Sequence, residues 1–285
     1  MEFAKYILMG AMGLGVFATQ NAIADGLHGE MKTHQVTENI HVLQIKGGNV
    51  GVFTGEDGVF LIDTDYKEAT NDILSALEKI SDKEIKYILN THWHGDHTGG
   101  NQNLSSSGGA IVAHENVRNR LAQDNYIAAF DMQSKAAPES ALPSITYHDK
   151  ASFHINGITV DVFHVSNAHT DGDSVVHFKA LNVIHAGDIF FNGFYPFIDT
   201  SSGGTLAGML RGVDTILALA DEKTVIIPGH GPISNKIELQ DYRDMLAGVQ
   251  AKLLPMKRAG KTLDDVRKTN PLDAYNAQWL SLIHI

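Results

Sequence analysis

From residue 40 the apolar positions come in short runs, 40–45, 50–54 and 58–63, separated by Gly47-Gly48-Asn49 and by Gly55-Glu56-Asp57-Gly58. β-rich runs broken by glycine turns predict a meander of antiparallel strands. The period then lengthens. Ile73, Leu74, Leu77 and Ile80 recur at helical spacing, and a brief apolar strand, Tyr87-Ile88-Leu89, delivers the chain to Thr91-His92. The second half repeats this order. Phe153-His154-Ile155 and Ile158–Val165 flank Asn156-Gly157, a strong hairpin signal, and two further strands, Asp173–Phe178 and Asn182–Ala186, lead to Gly187-Asp188. Leu206, Leu210, Val213 and Leu217 mark an amphipathic helix, and Val225-Ile226-Ile227 is a strand ending at Pro228-Gly229-His230. Leu239, Tyr242, Leu246, Val249 and Leu253 predict a last helix, disrupted at Pro255. Two similar stretches of strands followed by a helix, with no low-complexity segment between them, predict a mixed α/β fold. The residues able to do chemistry follow the strand ends, where a rigid scaffold commonly positions functional loops.

Length and composition narrow the picture. A chain of 285 residues, 43% hydrophobic, can bury one large core, so one catalytic domain over 25–285 is expected. The net charge of -11, with no basic block interleaved with aromatics, argues against nucleic acid and for a small-molecule substrate. There are 15 histidines and no cysteine, which excludes disulfides, thiolate ligands and a cysteine nucleophile together. Any metal here sits on imidazole and carboxylate. Lys5, the apolar run Tyr6 to Ala18 and the small-x-small site Ala22-Ile23-Ala24 predict a signal peptide over residues 1–24, cleaved before Asp25. That run is short of the ~20 residues a membrane-spanning helix needs, so no membrane association is expected of the mature form. A periplasmic or secreted protein is the expectation.

The central motif is Thr91-His92-Trp93-His94-Gly95-Asp96-His97, three imidazoles and a carboxylate within six residues. This is ligand chemistry that zinc prefers. On an extended segment His92 and His94 point to the same side and can reach one ion, while Gly95 lets the chain turn and aim Asp96 and His97 at a second.

The stretch Thr91 to Asn101, with its Gly99-Gly100 continuation, resembles the metallo-β-lactamase superfamily. The resemblance extends through Ala168-His169-Thr170-Asp171-Gly172-Asp173-Ser174, His185-Ala186-Gly187-Asp188 and Pro228-Gly229-His230-Gly231-Pro232, in matching order over roughly residues 36–235. It implies His92, His94 and His169 as ligands of one metal, Asp96, His97 and His230 as ligands of a second, and Asp188 as a bridge. It also implies a four-layered αβ/βα sandwich. The remaining ten histidines are read as core or surface residues.

Two dications a few ångströms apart repel, and anions between them, Asp188 and a shared hydroxide, offset that repulsion. The expected chemistry is attack of the hydroxide on an ester-like or amide-like carbonyl, with Asp96 orienting it and passing its proton on. A β-lactam is the first substrate class, because an export signal would bring the enzyme to where β-lactams act. Best-known β-lactamases of this type carry Cys at the position of Asp188 and Lys three residues later, where this chain has Phe191. The ligand set is similar to glyoxalase II and lactonase-type hydrolases, so a lactone or thioester is the alternative. An iron-dependent oxidoreductase on the same fold is a third class; its flavin-partnered relatives carry Glu where His94 stands. Phe190, Phe191, Phe194, Tyr195 and Phe197 are candidate walls of an apolar cleft, with Asn192 and Tyr195 as substrate contacts. The stretch 125–150 is long for a connector and is read as a lid or a plain loop.

Overall fold

The computed structural model describes residues 31–279. The signal peptide expected over 1–24 lies outside the described residues, as does the apolar end beyond Trp279. The first half begins with β1 (Lys32–Gln35), β2 (Ile40–Gln44), β3 (Val50–Phe53) and β4 (Val59–Ile62), followed by α1 (Thr70–Ile80) and β5 (Ile85–Leu89). Two short helices, α2 (Gly95–Thr98) and α3 (Asn101–Leu104), precede β6 (Ala110–His114) and α4 (Glu115–Leu121). A hairpin of β7 (Asn125–Ile127) and β8 (Met132–Ser134) and then β9 (Ile145–Tyr147) complete this half. Strands β1 to β6 and then β9 form one sheet, antiparallel as far as β4 and parallel beyond it.

The second half runs β10 (Lys150–Ile155), β11 (Ile158–His164), β12 (Ser174–Phe178), β13 (Val183–Phe191), α5 (Leu206–Leu219), β14 (Val225–His230), β15 (Ser234–Asn235), α6 (Lys236–Arg258) and α7 (Leu263–Lys268). Its six strands lie in chain order in a second sheet, with β13 and β14 parallel. Asn156 and Gly157 have φ of 52° and 77°, the left-handed pair that a tight two-residue hairpin requires.

Strand parity builds the layers. Leu43, Val50, Val52, Val59 and Leu61 pack with Ile73, Ala76 and Leu77 of α1. Ile40, Val42, Phe53, Phe60 and Ile62 point the other way and meet Val160, Val162, Val176, Phe178 and Val183 of the second sheet. Val175, Ile184 and Ala186 turn outward onto Met209, Val213 and Ile216 of α5 and Leu239, Tyr242 and Leu246 of α6. The order is helix, sheet, sheet, helix, the αβ/βα sandwich that the resemblance implies. Because strands such as β3 and β4 are buried on both faces, they read as continuous apolar runs rather than as alternation.

Two boundaries differ from the expectation. β13 does not stop at Ala186: it continues through Gly187, whose φ is 52° and where the register with β14 shifts, and still pairs Phe191 with His230. Asp188 therefore sits inside a strand at a bulge, not in a loop after one. The apolar side chains of Ile189, Phe190 and Phe191, all buried, hold the extension in the core. Helix α6 likewise runs through Pro255 to Arg258. A proline removes one helical hydrogen bond, here in the last turn, while the turn beyond it closes through Ala259 N–H donating to Pro255 O at 2.9 Å.

Candidate metal centre

Four places in the fold supply the seven predicted donors: the loop after β5 with the first turn of α2, the loop before β12, the bulge of β13 and the end of β14. His92 Nε2 lies 3.1 Å from His94 Nδ1, which lies 2.9 Å from His169 Nε2. Asp96 Oδ2 lies 3.2 Å from His230 Nε2 and 3.5 Å from His97 Nε2. Asp188 stands between the two groups. Its Oδ2 is 3.4 Å from both His169 Nε2 and His230 Nε2, and its Oδ1 is 3.2 Å from His97 Nε2. Three sets of donors lie within 4.8 Å of one another: His92, His94 and His169; His92, His97 and Asp188; Asp96, His97 and His230.

The turn that splits the motif is made differently from the expectation. Gly95 has no positive φ, and a Cβ there would meet nothing within 4 Å. The turn is instead a helix start: His94 is extended at φ -64°, ψ 152°, and its carbonyl accepts from His97 N–H and Thr98 N–H. Glycine is needed elsewhere, where backbone closes on the donors. A Cβ at Gly48 would stand 2.1 Å from the His97 ring, and one at Gly229 would stand 1.9 Å from Asp188 Oδ1.

A second layer of polar groups assigns the tautomers. His97 Nδ1 faces Asp63 Oδ2 at 2.8 Å, His94 Nε2 faces Asp199 Oδ2 at 3.1 Å, and His169 Nδ1 faces the Phe197 carbonyl at 2.7 Å. The Thr91 hydroxyl donates to Asp63 Oδ2 at 2.7 Å and so accepts from His92 Nδ1 at 3.1 Å. Each of these ring nitrogens carries the proton. The opposite nitrogens of His92, His94 and His169 then turn bare lone pairs on one another, an arrangement that suits a cation between them. Asp188 Oδ1, buried without a well-formed hydrogen bond, points to the same conclusion. The donors present thus suit a bound metal, and by type they suit one that takes nitrogen and oxygen.

Asp63 and Asp199 were not singled out from the sequence. A lone Asp after an apolar strand, or in a loop such as Pro196-Phe197-Ile198-Asp199, has many ordinary uses, and only the fold brings these carboxylates to the imidazoles. Asp63 has φ 64° and also accepts from Thr91 N–H at 2.7 Å, so it clamps the motif loop as well as His97. Asp63→Asn is expected to weaken metal binding by about 10- to 100-fold. Competition with a chromophoric chelator measures this, and an unchanged affinity would remove Asp63 from that role.

Electrostatics divide the donors. Burial, reinforced by neighbouring histidines, holds His92 well below its ordinary range, and burial brings His169 down to about 4. Burial acts the same way on His97 and His230, yet there the carboxylates win. Asp188, Asp96 and Asp63 push His97 well above its ordinary value, and Asp188 and Asp96 push His230 up to about 9. Burial alone would raise Asp96 and Asp188; the facing histidines hold both well below the usual carboxylate range.

The side chains of the expected substrate contacts, Asn192 and Tyr195, both have protein partners. Asn192 Nδ2 donates to Pro232 O at 3.1 Å and Glu238 Oε2 at 3.0 Å, and the Tyr195 hydroxyl bonds Leu272 O at 3.2 Å and Asn276 Oδ1 at 3.0 Å. The backbone of Asn192 stays beside the cluster, its N–H donating to the His230 carbonyl at 2.9 Å. Phe190 and Phe191 are core residues, and the Phe191 ring stacks on His230 at 5.3 Å. Phe197 also lies beside the first three histidines, 5.7 Å from the His94 ring and 5.6 Å from His169, with the Trp93 ring 4.8 Å from His94. Within 125–150, the β7–β8 hairpin sets Phe130 against Phe197 at 4.6 Å, so this stretch is an ordered flank of the site rather than a plain loop.

A family model described as the Metallo-beta-lactamase superfamily matches residues 44–230. The chain is 28% identical over 216 residues to the lactamase-like protein adaB of Aspergillus niger, an alignment covering 70% of this chain and 57% of that protein. The chain thus spans little more than half of that relative's length. It is 27% identical over 210 residues to a hydroxyacylglutathione hydrolase of Polaromonas sp., covering 68% of this chain and 70% of the relative. Its fold is similar to that of a metallo-beta-lactamase from Pontibacter korlensis, with TM-score 0.62 and 18% identity over 76% of this chain and 99% of the other. The matched span takes in most strands of both sheets and all seven clustered donors, and the chain belongs to the metallo-beta-lactamase superfamily.

Proposed function

We propose that this protein is a zinc-dependent hydrolase with two zinc ions per chain, acting on a carbonyl substrate. One ion would be held by His92, His94 and His169, the other by Asp96, His97 and His230, with Asp188 shared. The observation that carries this reading is the converging set of donors with Asp188 between its two halves. When bound, such ions supply an acidified water and a Lewis-acidic edge for a carbonyl oxygen. The chain's own residues do the rest. Asp188 puts negative charge between the two donor sets, and Asp63, Asp199 and Thr91 fix the imidazoles. Asp96, with a side chain 21% exposed, is placed to orient a water and accept its proton. Phe197 and Phe130 cover one flank with apolar surface.

A β-lactam is the first substrate class, supported by the family and by the export signal read over 1–24; a secreted or periplasmic location is part of the proposal. The ring of Phe191 on His230 favours a second reading. It offers no cation for a substrate carboxylate, which suits a lactone or thioester better. Metal content, measured beside turnover of a chromogenic cephalosporin, a lactone and a thioester with and without chelator, separates these. Two zinc and chelator-sensitive lactam cleavage support the first reading, and two zinc with only lactone or thioester turnover replace the substrate. Iron without hydrolysis overturns the proposal.

The proton held on His97 and the one on His230 must leave before the second ion binds, whereas His92 and His169 are already neutral. A raised pKa means that acid opposes loading. Affinity for the second ion is therefore expected to fall by up to about tenfold per pH unit for each competing proton as pH drops below about 9. Zinc content after dialysis at fixed free zinc should decline from two toward one between pH 8 and pH 6. A content independent of pH would contradict the assignment of the second set.

A further inference from the structure

The segment from Pro196 to Thr200 alternates between two environments. The Phe197 carbonyl and the Asp199 carboxylate hold His169 and His94. Pro196, Ile198 and Thr200 line the other side, a cavity of about 330 Å³ that α5 and α6 close with Leu206, Met245 and Leu253 among others. Its walls are almost wholly apolar, and its size lies at the small end of the ~300–1,000 Å³ usual for small-ligand sites. Lys257 is the one charged residue of the lining; it is exposed and has no ion pair among the described residues. An ammonium without an ion pair beside an apolar cavity is complementary to a ligand with one anionic head and an apolar body.

We infer that this cavity is a binding site for a single-chain aliphatic carboxylate, its tail between α5 and α6 and its head at Lys257. A ligand there presses on the segment whose inner face orients His94 and His169. Occupancy and metal affinity are therefore linked, and the linkage is reciprocal. The inference is independent of the substrate reading, since both quantities are measured with no substrate present.

The test is calorimetric titration of the full chain with decanoate and, as a neutral control, decanol. Saturable binding of about one decanoate per chain is expected. Ala207→Trp, which fills the cavity from an exposed position on α5, should abolish it, and Leu254→Trp at the rim is the second variant should the first not fold. Lys257→Gln should weaken decanoate by up to about fivefold and leave decanol unchanged, as expected for one exposed charge pair. Zinc affinity should shift at least about threefold with decanoate in the parent and not in Ala207→Trp. Absence of saturable binding, or equal binding by the filled variants, overturns the site. Binding with an unmoved zinc affinity overturns the linkage.

Discussion

Asp96→Asn is expected to lower turnover by about 10²- to 10⁴-fold, the range for losing a positioned acid–base group. The substitution keeps the shape of the side chain and removes its basicity. Asp96 does not belong to the set formed by His92, His94 and His169, so that ion should be retained in full. Its contact with His230, 3.2 Å in the parent, belongs to the second set, so the assay must be run at saturating zinc to separate a lost ion from a lost base. Bound zinc near the parental amount with turnover reduced in that range is the expected pattern. Unchanged turnover would mean that Asp96 neither orients the water nor takes its proton.

Removing the metal should lower the melting temperature by about 10 °C. At a free concentration a thousand times the dissociation constant, a ligand that binds only the folded state adds ~4 kcal/mol, and a domain of this size gains ~2–4 °C per kcal/mol. The structure gives a local reason to expect an effect of that size. Without ions, the lone pairs of His94 and His169 face each other at 2.9 Å. Calorimetric scans of chelator-stripped and reloaded protein make the comparison. Coincident transitions would mean that the cluster is stable by itself and that its geometry owes nothing to a cation.

The rhythm of apolar positions identified β2 to β5, β10 to β14, α1, α5 and α6, because those strands are mostly buried on both faces or alternate and glycine turns separate many of them. It did not identify β1, β6, β9, α4 or α7, which are short. It erred where tertiary contacts overrode a local signal. Gly187 reads as a stop, yet the pairing of Phe191 with His230 across parallel strands carries β13 past it. Pro255 also reads as a stop, but one missing bond in the last turn is not enough to end a helix of 23 residues.

The donor cluster was legible from sequence for a chemical reason. A metal site needs particular atoms, few residue types carry them, and the local spacing of His92, His94, Asp96 and His97 is itself a geometric statement. The supporting residues had no such signature. Asp63, Asp199 and the Phe197 carbonyl act through one hydrogen bond each to an imidazole of the donor cluster, and an isolated carboxylate or carbonyl looks the same whether it does this or meets water. The same holds for the aromatics. The sequence offered five rings after Asp188, but the direction of each depended on where β13 ended, and that was decided by its pairing with β14. Residue chemistry and spacing determined which atoms could bind a metal; the packing of two sheets determined which ring nitrogens keep their protons and which are left to bind it.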